Sequence, residues 1–242
     1  MLKDDKNYLN NLGALPTPEI NFRQRESTNS EFHRSIGISS EAHGNYRTIT
    51  PESLVKLMGK DNKSINLVIL DCRFPYEYDA GSITGSINLV NHKTLTSLFN
   101  VKFDKIPVIV FFCEFSSMRS RQWCSALRGY DRKINAQNYP NLNFQYSFLL
   151  EGGYKKFNKK YKDKCTGEYI SMTDDKFGNM LKDFKKRYDR EIKHMEKILT
   201  MNFYDKQPSK SNSQGFCKVV EMYPFEFNTS QEQPLSPVYN IL

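Results

Sequence analysis

Residues 107–131 read PVIVFFCEFSSMRSRQWCSALRGYD. The unbroken apolar run at 108–112 predicts a strand buried on both faces of a parallel sheet. After a short polar stretch the apolar period becomes that of a helix, with Trp123, Leu127 and Tyr130 on one stripe. This part of the chain therefore predicts a strand, a loop and a helix in that order.

The predicted loop carries Cys113 and Arg119 with five residues between them. Successive backbone N–H groups in such a loop form an anion nest, and the dipole of the following helix adds positive potential. That field favours the nucleophilic thiolate form of Cys113. Arg119 can hold two phosphate oxygens and stabilise the charge of a phosphoryl-transfer transition state. Because this spacing also occurs when a free cysteine merely precedes a surface arginine, residues beyond the pair must decide.

The loop at 112–119 resembles the active-site loop of the M-phase inducer phosphatases, which are dual-specificity cell-cycle phosphatases built on a rhodanese fold. The resemblance covers roughly residues 46–190 and rests on several motifs in the family's order. The other matching segments are 71–78 (DCRFPYEY), 81–89 (GSITGSINL), 138–142 (NYPNL) and 149–154 (LLEGGY).

Alternating strand and helix patterns predict an α/β fold with a central parallel sheet. The resemblance implies a single rhodanese-like phosphatase domain at 46–199, with helices flanking the sheet. Residues 1–45 are polar and weakly periodic, so we expect a disordered N-terminal extension, and residues 200–242 are expected to form a flexible C-terminal tail. The cysteine loop should lie at the carboxyl ends of the strands, where open α/β sheets place their sites.

The resemblance implies that Cys113 is the nucleophile and that Arg119 clamps the phosphate. Glu114 occupies a family position considered for the proton donor. Asp71 and Arg73 are expected to form an internal ion pair that supports the loop after the preceding strand. The implied phosphate-binding loop consists of Glu114, Phe115, Ser116, Ser117, Met118 and Arg119.

A cysteine that follows the neighbouring strand, Cys72, matches the family's back-door cysteine. An activated thiolate is easily oxidised, and a second thiol within reach can trap it as a disulfide. We therefore predict a reversible Cys72–Cys113 disulfide that blocks activity. Cys124 is the weaker candidate, because it lies further along the helix and fits a small buried residue.

Three residues depart from the family pattern. Phe112 replaces the histidine before the cysteine, Met118 replaces a common glutamate, and Gln122 replaces an arginine used in docking. A phenylalanine cannot make an imidazole's hydrogen bonds and a methionine cannot donate a proton. These departures keep open a catalytically degenerate module that binds a phosphorylated kinase without turnover. An arsenate reductase or sulfurtransferase ranks lower, because sulfurtransferase loops are typically one residue shorter.

The implied function is removal of phosphate from Tyr and Thr of a cyclin-dependent kinase through a phosphocysteine, which promotes G2/M progression. The expected partner is that phosphorylated kinase with its cyclin, bound by a monomer; no nucleic acid, membrane, metal or cofactor is expected. The net charge of +8 favours acidic or phosphorylated partners, although simple lysine enrichment explains it equally. Without a signal-peptide core or metal-ligand cysteine spacing, an intracellular location in the nucleus or cytoplasm is expected.

Overall fold

The structure is a computed structural model that describes residues 40–43, 46–59 and 65–201. Its centre is a six-stranded sheet in the order β1-β2-β6-β5-β3-β4. Strands β2 to β6 run parallel to their neighbours, and β1 is an antiparallel edge strand. The strands are β1 (Ser40–His43), β2 (Tyr46–Ile49), β3 (Ile65–Asp71), β4 (Ile87–Asn88), β5 (Ile106–Phe112) and β6 (Tyr146–Leu150).

Helices cover both faces of the sheet. Successive residues of β5 point to opposite faces, so Val108, Val110 and Phe112 join one buried cluster while Ile109 and Phe111 join the other. The first cluster includes side chains of α1 and α5, and the second includes side chains of α3, α4 and α6. The helices are α1 (Pro51–Met58), α2 (Pro75–Ala80), α3 (His92–Ser97), α4 (Arg119–Ile134), α5 (Gly153–Lys160) and α6 (Gly178–Thr200).

The predicted α/β fold with a parallel sheet flanked by helices is confirmed. One boundary was wrong: residues 40–43, assigned to a disordered extension, form β1 and pair with β2. The sequence SEAH carries no apolar alternation, so only the available edge of β2 defines this strand. The other residues of the two predicted extensions lie outside the described ranges, apart from Thr200 and Met201. Within those ranges no helix combines the length and apolar character needed to cross a membrane.

Candidate active site

Strands β3 and β5 deliver two cysteines to the same edge of the sheet. Asp71 and Phe112 are paired at the carboxyl ends of these strands, so Cys72 and Cys113 are the next residue of each. The amide of Cys72 donates to the carbonyl oxygen of Phe112 at 2.7 Å, which fixes the two chains side by side. Both thiols are buried. Burial, reinforced by the charge of Cys113, raises the pKa of the Cys72 thiol well above its ordinary value.

The loop after Cys113 leaves its backbone donors available. Carbonyl oxygens of Cys113 and Glu114 accept hydrogen bonds from the amides of Tyr154 (2.9 Å) and Lys155 (3.1 Å) at the start of α5. Among the described residues, no acceptor receives the amides of residues 115–119. Helix α4 begins directly after the loop without a side-chain cap. The loop therefore presents a run of unpaired N–H groups and a helix N-terminus to an anion.

Close contact between the loop and α5 requires a glycine at residue 153. Its φ is +64°, a conformation that favours glycine. A β-carbon there would lie 2.5 Å from the carbonyl oxygen of Cys113 and 2.6 Å from that of Glu114. Any side chain at this position would push the loop away from α5.

Arg119 is held by a carboxylate that the sequence did not single out. Its Nη1 lies 2.5 Å from Oε2 of Glu77 and its Nη2 lies 3.2 Å from Oε1, in a fork-to-fork pair. Both side chains are buried, and the guanidinium lies 4.7 Å from the ring centroid of Phe74. Of the five N–H donors of an arginine, this pair uses two, so about three remain. The pair thus aligns the guanidinium and leaves donors for a phosphate.

Burial acts on both charges of this pair. Burial opposes the charge of Arg119, but the hydrogen bond and charge of Glu77 outweigh it and raise the arginine's pKa. Burial raises the pKa of the Glu77 carboxyl, while Arg119 and the backbone amide of Phe74 oppose that rise. The Phe74 amide donates to Glu77 Oε2 at 2.9 Å at the start of α2. The pairing of Glu77 with Arg119, 42 residues away, follows only from the fold.

Glu114, the candidate proton donor, has both carboxylate oxygens engaged. The hydroxyl of Tyr169 donates to Oε1, and the amide of Met172 lies 3.4 Å from Oε2. The side chain is buried. Burial, together with this hydrogen bond, raises the pKa of Tyr169, so its hydroxyl keeps the proton. Glu114 therefore ties the loop to the segment that leads into α6.

Asp71 and Arg73 form a fully buried ion pair next to the loop. Nη2 of Arg73 lies 2.6 Å from Oδ2 of Asp71, and Nε lies 3.0 Å from Oδ1. Ser82 donates its hydroxyl to the same carboxylate at 2.6 Å, and Arg73 Nη2 donates to the Gly81 carbonyl at 2.7 Å. This network joins the end of β3 to the segment after α2 and uses most of the polar atoms involved.

Phe112, at the family's histidine position, lies in the core rather than in the loop. Its ring is fully buried and stacks on Tyr154 with a centroid distance of 6.0 Å. The Arg73 guanidinium lies 3.8 Å from the Tyr154 ring centroid and 5.9 Å from that of Phe112. Nη1 of Arg73 has no hydrogen-bond partner among the described residues. The phenylalanine therefore faces this arginine with a ring instead of an acceptor nitrogen.

The remaining residues of the loop and the start of α4 are two buried serines, Ser116 and Ser120, the exposed Ser117, and two exposed apolar side chains. Ser116 adopts φ +54°, and its buried hydroxyl has no partner within the described part of the chain. The hydroxyl of Ser120 lies 3.5 Å from Sγ of Cys113. Phe115 and Met118 are 51% and 63% exposed. The rim of the site is therefore apolar where the family commonly has an acid.

Helix α6 reaches the back of the site through Tyr188. Its hydroxyl lies 2.7 Å from Oε1 of Gln122 and 3.3 Å from the carbonyl oxygen of Arg119. Burial is the main reason that the pKa of Tyr188 is raised, and the nearby charges of Cys72 and Cys113 add to it. In the sequence, Tyr188 falls at helical spacing with Phe184, Ile192 and Met195, but this apolar stripe gives no signal that its hydroxyl meets α4.

The sequence around this site is similar to those of known proteins. Residues 50–160 match the model of the rhodanese-like domain. The chain is 38% identical over 152 residues to M-phase inducer phosphatase 1-B of Xenopus laevis, covering 59% of this chain and 27% of that protein. It is 34% identical over 152 residues to M-phase inducer phosphatase 2 of Homo sapiens, covering 59% and 26%.

Among solved structures, the As-Sb reductase of Leishmania major is 27% identical, with 48% of this chain and 79% of that chain covered at a TM-score of 0.37. The aligned region spans about a quarter of the length of the two curated relatives named above. The resemblance drawn from the motifs is confirmed over the domain. Residues 50–160 are a rhodanese-like domain, and the sequence of that domain is similar to those of the M-phase inducer phosphatases.

Proposed function

We propose that this chain is a cysteine-dependent protein phosphatase that acts on phosphotyrosine and phosphothreonine of a cyclin-dependent kinase. One observation carries the proposal. Cys113 and Arg119 bound a loop in which the amides of residues 115–119 donate to no acceptor among the described residues. Several unpaired N–H groups beside a nucleophile and a buried guanidinium are the arrangement that a transferring phosphoryl group requires.

The proposed chemistry has two steps. Sγ of Cys113 attacks phosphorus, the bond from phosphorus to the ester oxygen breaks, and a phosphocysteine forms. Water then attacks that phosphorus, which releases inorganic phosphate and restores the thiolate. The loop amides and the remaining N–H groups of Arg119 stabilise the equatorial oxygens in both steps.

No side chain of the loop is available to protonate the leaving oxygen. Glu114 is engaged by Tyr169 and Met172, and Met118 has no proton to give. We therefore propose that the substrate's phosphate, as a monoanion, supplies the proton itself. Because the leaving oxygen then departs as a neutral alcohol, the rate should depend only weakly on the acidity of that alcohol. Phosphotyrosine should therefore be cleaved only modestly faster than phosphothreonine.

Recognition of the kinase is proposed to depend on a basic surface of α6. Charge reversal at Lys186 and Arg187 should weaken activity on an intact phosphorylated kinase–cyclin complex while sparing a small aryl phosphate, because docking contacts act only on the large substrate. Equal losses of activity on both substrates would mean that the substitutions disturb the fold rather than docking. The exposed basic residues of this surface are Lys182, Lys185, Lys186, Arg187, Arg190 and Lys193.

The decisive experiment measures phosphate release. The full chain should release phosphate from p-nitrophenyl phosphate and from a phosphotyrosine peptide. Cys113→Ser should abolish release but retain phosphopeptide binding, because it removes the nucleophile and keeps the loop. A rapid acid quench with labelled substrate should trap label on Cys113. Turnover that survives Cys113→Ala contradicts the mechanism.

A second candidate function rests on the two departures from the family pattern. Phe112 gives Arg73 no acceptor, and Met118 places an apolar side chain at the rim. Both changes leave the phosphate-binding loop in place, so a module that holds a phosphorylated kinase without turnover is the alternative. Phosphopeptide binding at micromolar concentration with no phosphate release would establish it.

A further inference from the structure

A cavity of about 490 Å³ adjoins the candidate active site at Cys72. It is enclosed by the segments that follow β3 and β4 and by one face of α6, and no residue of the loop 113–119 lines it. Cys72 forms part of its wall. The volume is within the range of small-molecule binding sites. Cys72 lines the cavity and Cys113 does not, so a ligand in the cavity would meet Cys72.

The charged side chains around the cavity favour an anion. Arg187 and Arg190 line it, and neither forms a salt bridge with any described carboxylate. The single acidic residue of the lining, Glu191, is engaged by His92, whose Nδ1 lies 2.6 Å and whose amide lies 2.9 Å from Oε2. The ring of His194 lies 4.1 Å from that of His92. Arg190 Nε lies 3.4 Å from the carbonyl oxygen of Lys186, and the Arg187 guanidinium lies 5.8 Å from the ring centroid of Phe184. The cavity thus combines two guanidinium groups that have no carboxylate partner among the described residues with a carboxylate that already has a partner.

A disulfide between Cys72 and Cys113 would have two unequal sulfurs. Exchange is faster when the departing thiolate is the better stabilised one. Both sulfurs are buried, but Cys113 departs beside unpaired loop amides and Arg119, whereas the pKa of the Cys72 thiol is raised. A reductant that attacks Cys72 therefore releases the better leaving group, and the cavity is the space that adjoins Cys72.

We propose that this cavity is the entry site for a low-molecular-weight anionic thiol that reopens the Cys72–Cys113 disulfide. The inference rests on the predicted formation of that disulfide and does not require phosphatase activity. The thiolate attacks Sγ of Cys72, the sulfur–sulfur bond breaks, and Cys113 departs as thiolate. A second thiol then attacks the sulfur of the bound thiol, which yields its symmetric disulfide and frees Cys72.

The test compares thiols of different charge on the full chain. Peroxide-treated protein is mapped by mass spectrometry for the Cys72–Cys113 disulfide and then reduced with glutathione, 2-mercaptoethanol or cysteamine. In Arg187→Glu/Arg190→Glu, glutathione should reopen the disulfide about tenfold more slowly, because its carboxylates lose their partners. The rate of reopening by the neutral 2-mercaptoethanol should change less than about twofold, and the rate with the cationic cysteamine should not fall. Lys182→Glu/Lys185→Glu, on the same helix but outside the cavity lining, is the matched control and should behave as the parent.

Two further measurements keep the proposal open to refutation. The first mixed disulfide formed by glutathione should map to Cys72. If charge reversal unfolds α6, Arg187→Gln/Arg190→Gln tests the same point with an expected slowing of about threefold for glutathione alone. A mixed disulfide on Cys113, equal rates for all three thiols, or failure of peroxide to form the disulfide would each overturn the proposal. None of these readouts measures phosphate release, so they stand apart from the proposed phosphatase function.

Discussion

Two arginines of this domain each pair with a buried carboxylate, yet their surroundings differ. Arg73 pairs with Asp71, two residues away, and its remaining contacts are a backbone carbonyl and an aromatic ring. Arg119 pairs with Glu77 across 42 residues and stands at the end of a loop with unpaired amides. The same ion-pair chemistry therefore supports a turn in one place and aligns a phosphate clamp in the other. Arg73 also keeps an Nη1 without a partner among the described residues, so the two roles are separated by the unpaired loop amides, which stand beside Arg119.

The largest expected effect is on catalysis and tests Arg119 as the residue that clamps the phosphate. Arg119→Lys should lower kcat/KM for an aryl phosphate by about 10³-fold or more, because a point charge replaces a planar fork. The melting temperature should change little, since the ammonium still faces Glu77. Steady-state kinetics and a thermal melt on the same preparation measure both quantities. A loss below tenfold would mean that Arg119 is structural, like Arg73.

The second prediction tests the ion pair of Arg73 and Asp71, which supports the turn after β3. Arg73→Met should lower the free energy of unfolding by about 3–5 kcal/mol, because it leaves the charge of Asp71 buried without a partner. Urea denaturation measures this loss. Adding Asp71→Asn should restore part of it, since the double variant no longer buries an unpaired charge. If the single variant unfolds no more easily than the parent, the network around Asp71 contributes little to stability.

The third prediction concerns the pH dependence of stability that Glu77 causes when Arg119 is removed. In Arg119→Met, Glu77 keeps the burial that raises its pKa and loses the guanidinium that opposes the rise. The folded state then binds the proton more tightly than the unfolded chain, so stability is lost as pH rises through the folded-state pKa. Unfolding free energies of this variant should therefore increase by about 1–3 kcal/mol on acidification toward the ordinary pKa of glutamate. Adding Glu77→Gln should remove the dependence, and its persistence would exclude Glu77 as the cause.

The smallest effect concerns the contact between α6 and the start of α4. Tyr188→Phe removes the hydroxyl that meets Gln122 and should cost about 1 kcal/mol of stability, the usual value for one hydrogen bond. Activity should fall less than about threefold, because Arg119 keeps Glu77. Tyr139→Phe at a 75% exposed position is the control and should change neither quantity. A large activity loss in Tyr188→Phe would show that α6 takes part in aligning the clamp.

Local motifs predicted the parts of this site that lie close together in the chain. Cys113 and Arg119 share one loop, so their spacing, read together with the neighbouring motifs, indicated a common site. The partners of Glu114 lie 55 and 58 residues away, and the carboxylate partner of Arg119 lies 42 residues away, so only the packed fold reveals them. Residues 40–43 were missed for a related reason: an edge strand takes its hydrogen bonds from a neighbour and needs no apolar pattern of its own.

The two hydrogen bonds from α5 to the loop give the site a built-in reporter. Tyr154 and Lys155 donate their amides to the carbonyl oxygens of Cys113 and Glu114, whereas the amides at 115–119 have no described acceptor. In deuterated water the amide protons of Tyr154 and Lys155 should therefore exchange slowly, and those of residues 115–119 should exchange quickly. An oxyanion held by the loop would slow exchange at 115–119, and a peptide flip at Cys113 or Glu114 would expose Tyr154 and Lys155 instead. Two neighbouring groups of amides thus distinguish an occupied loop from a rearranged one without any turnover.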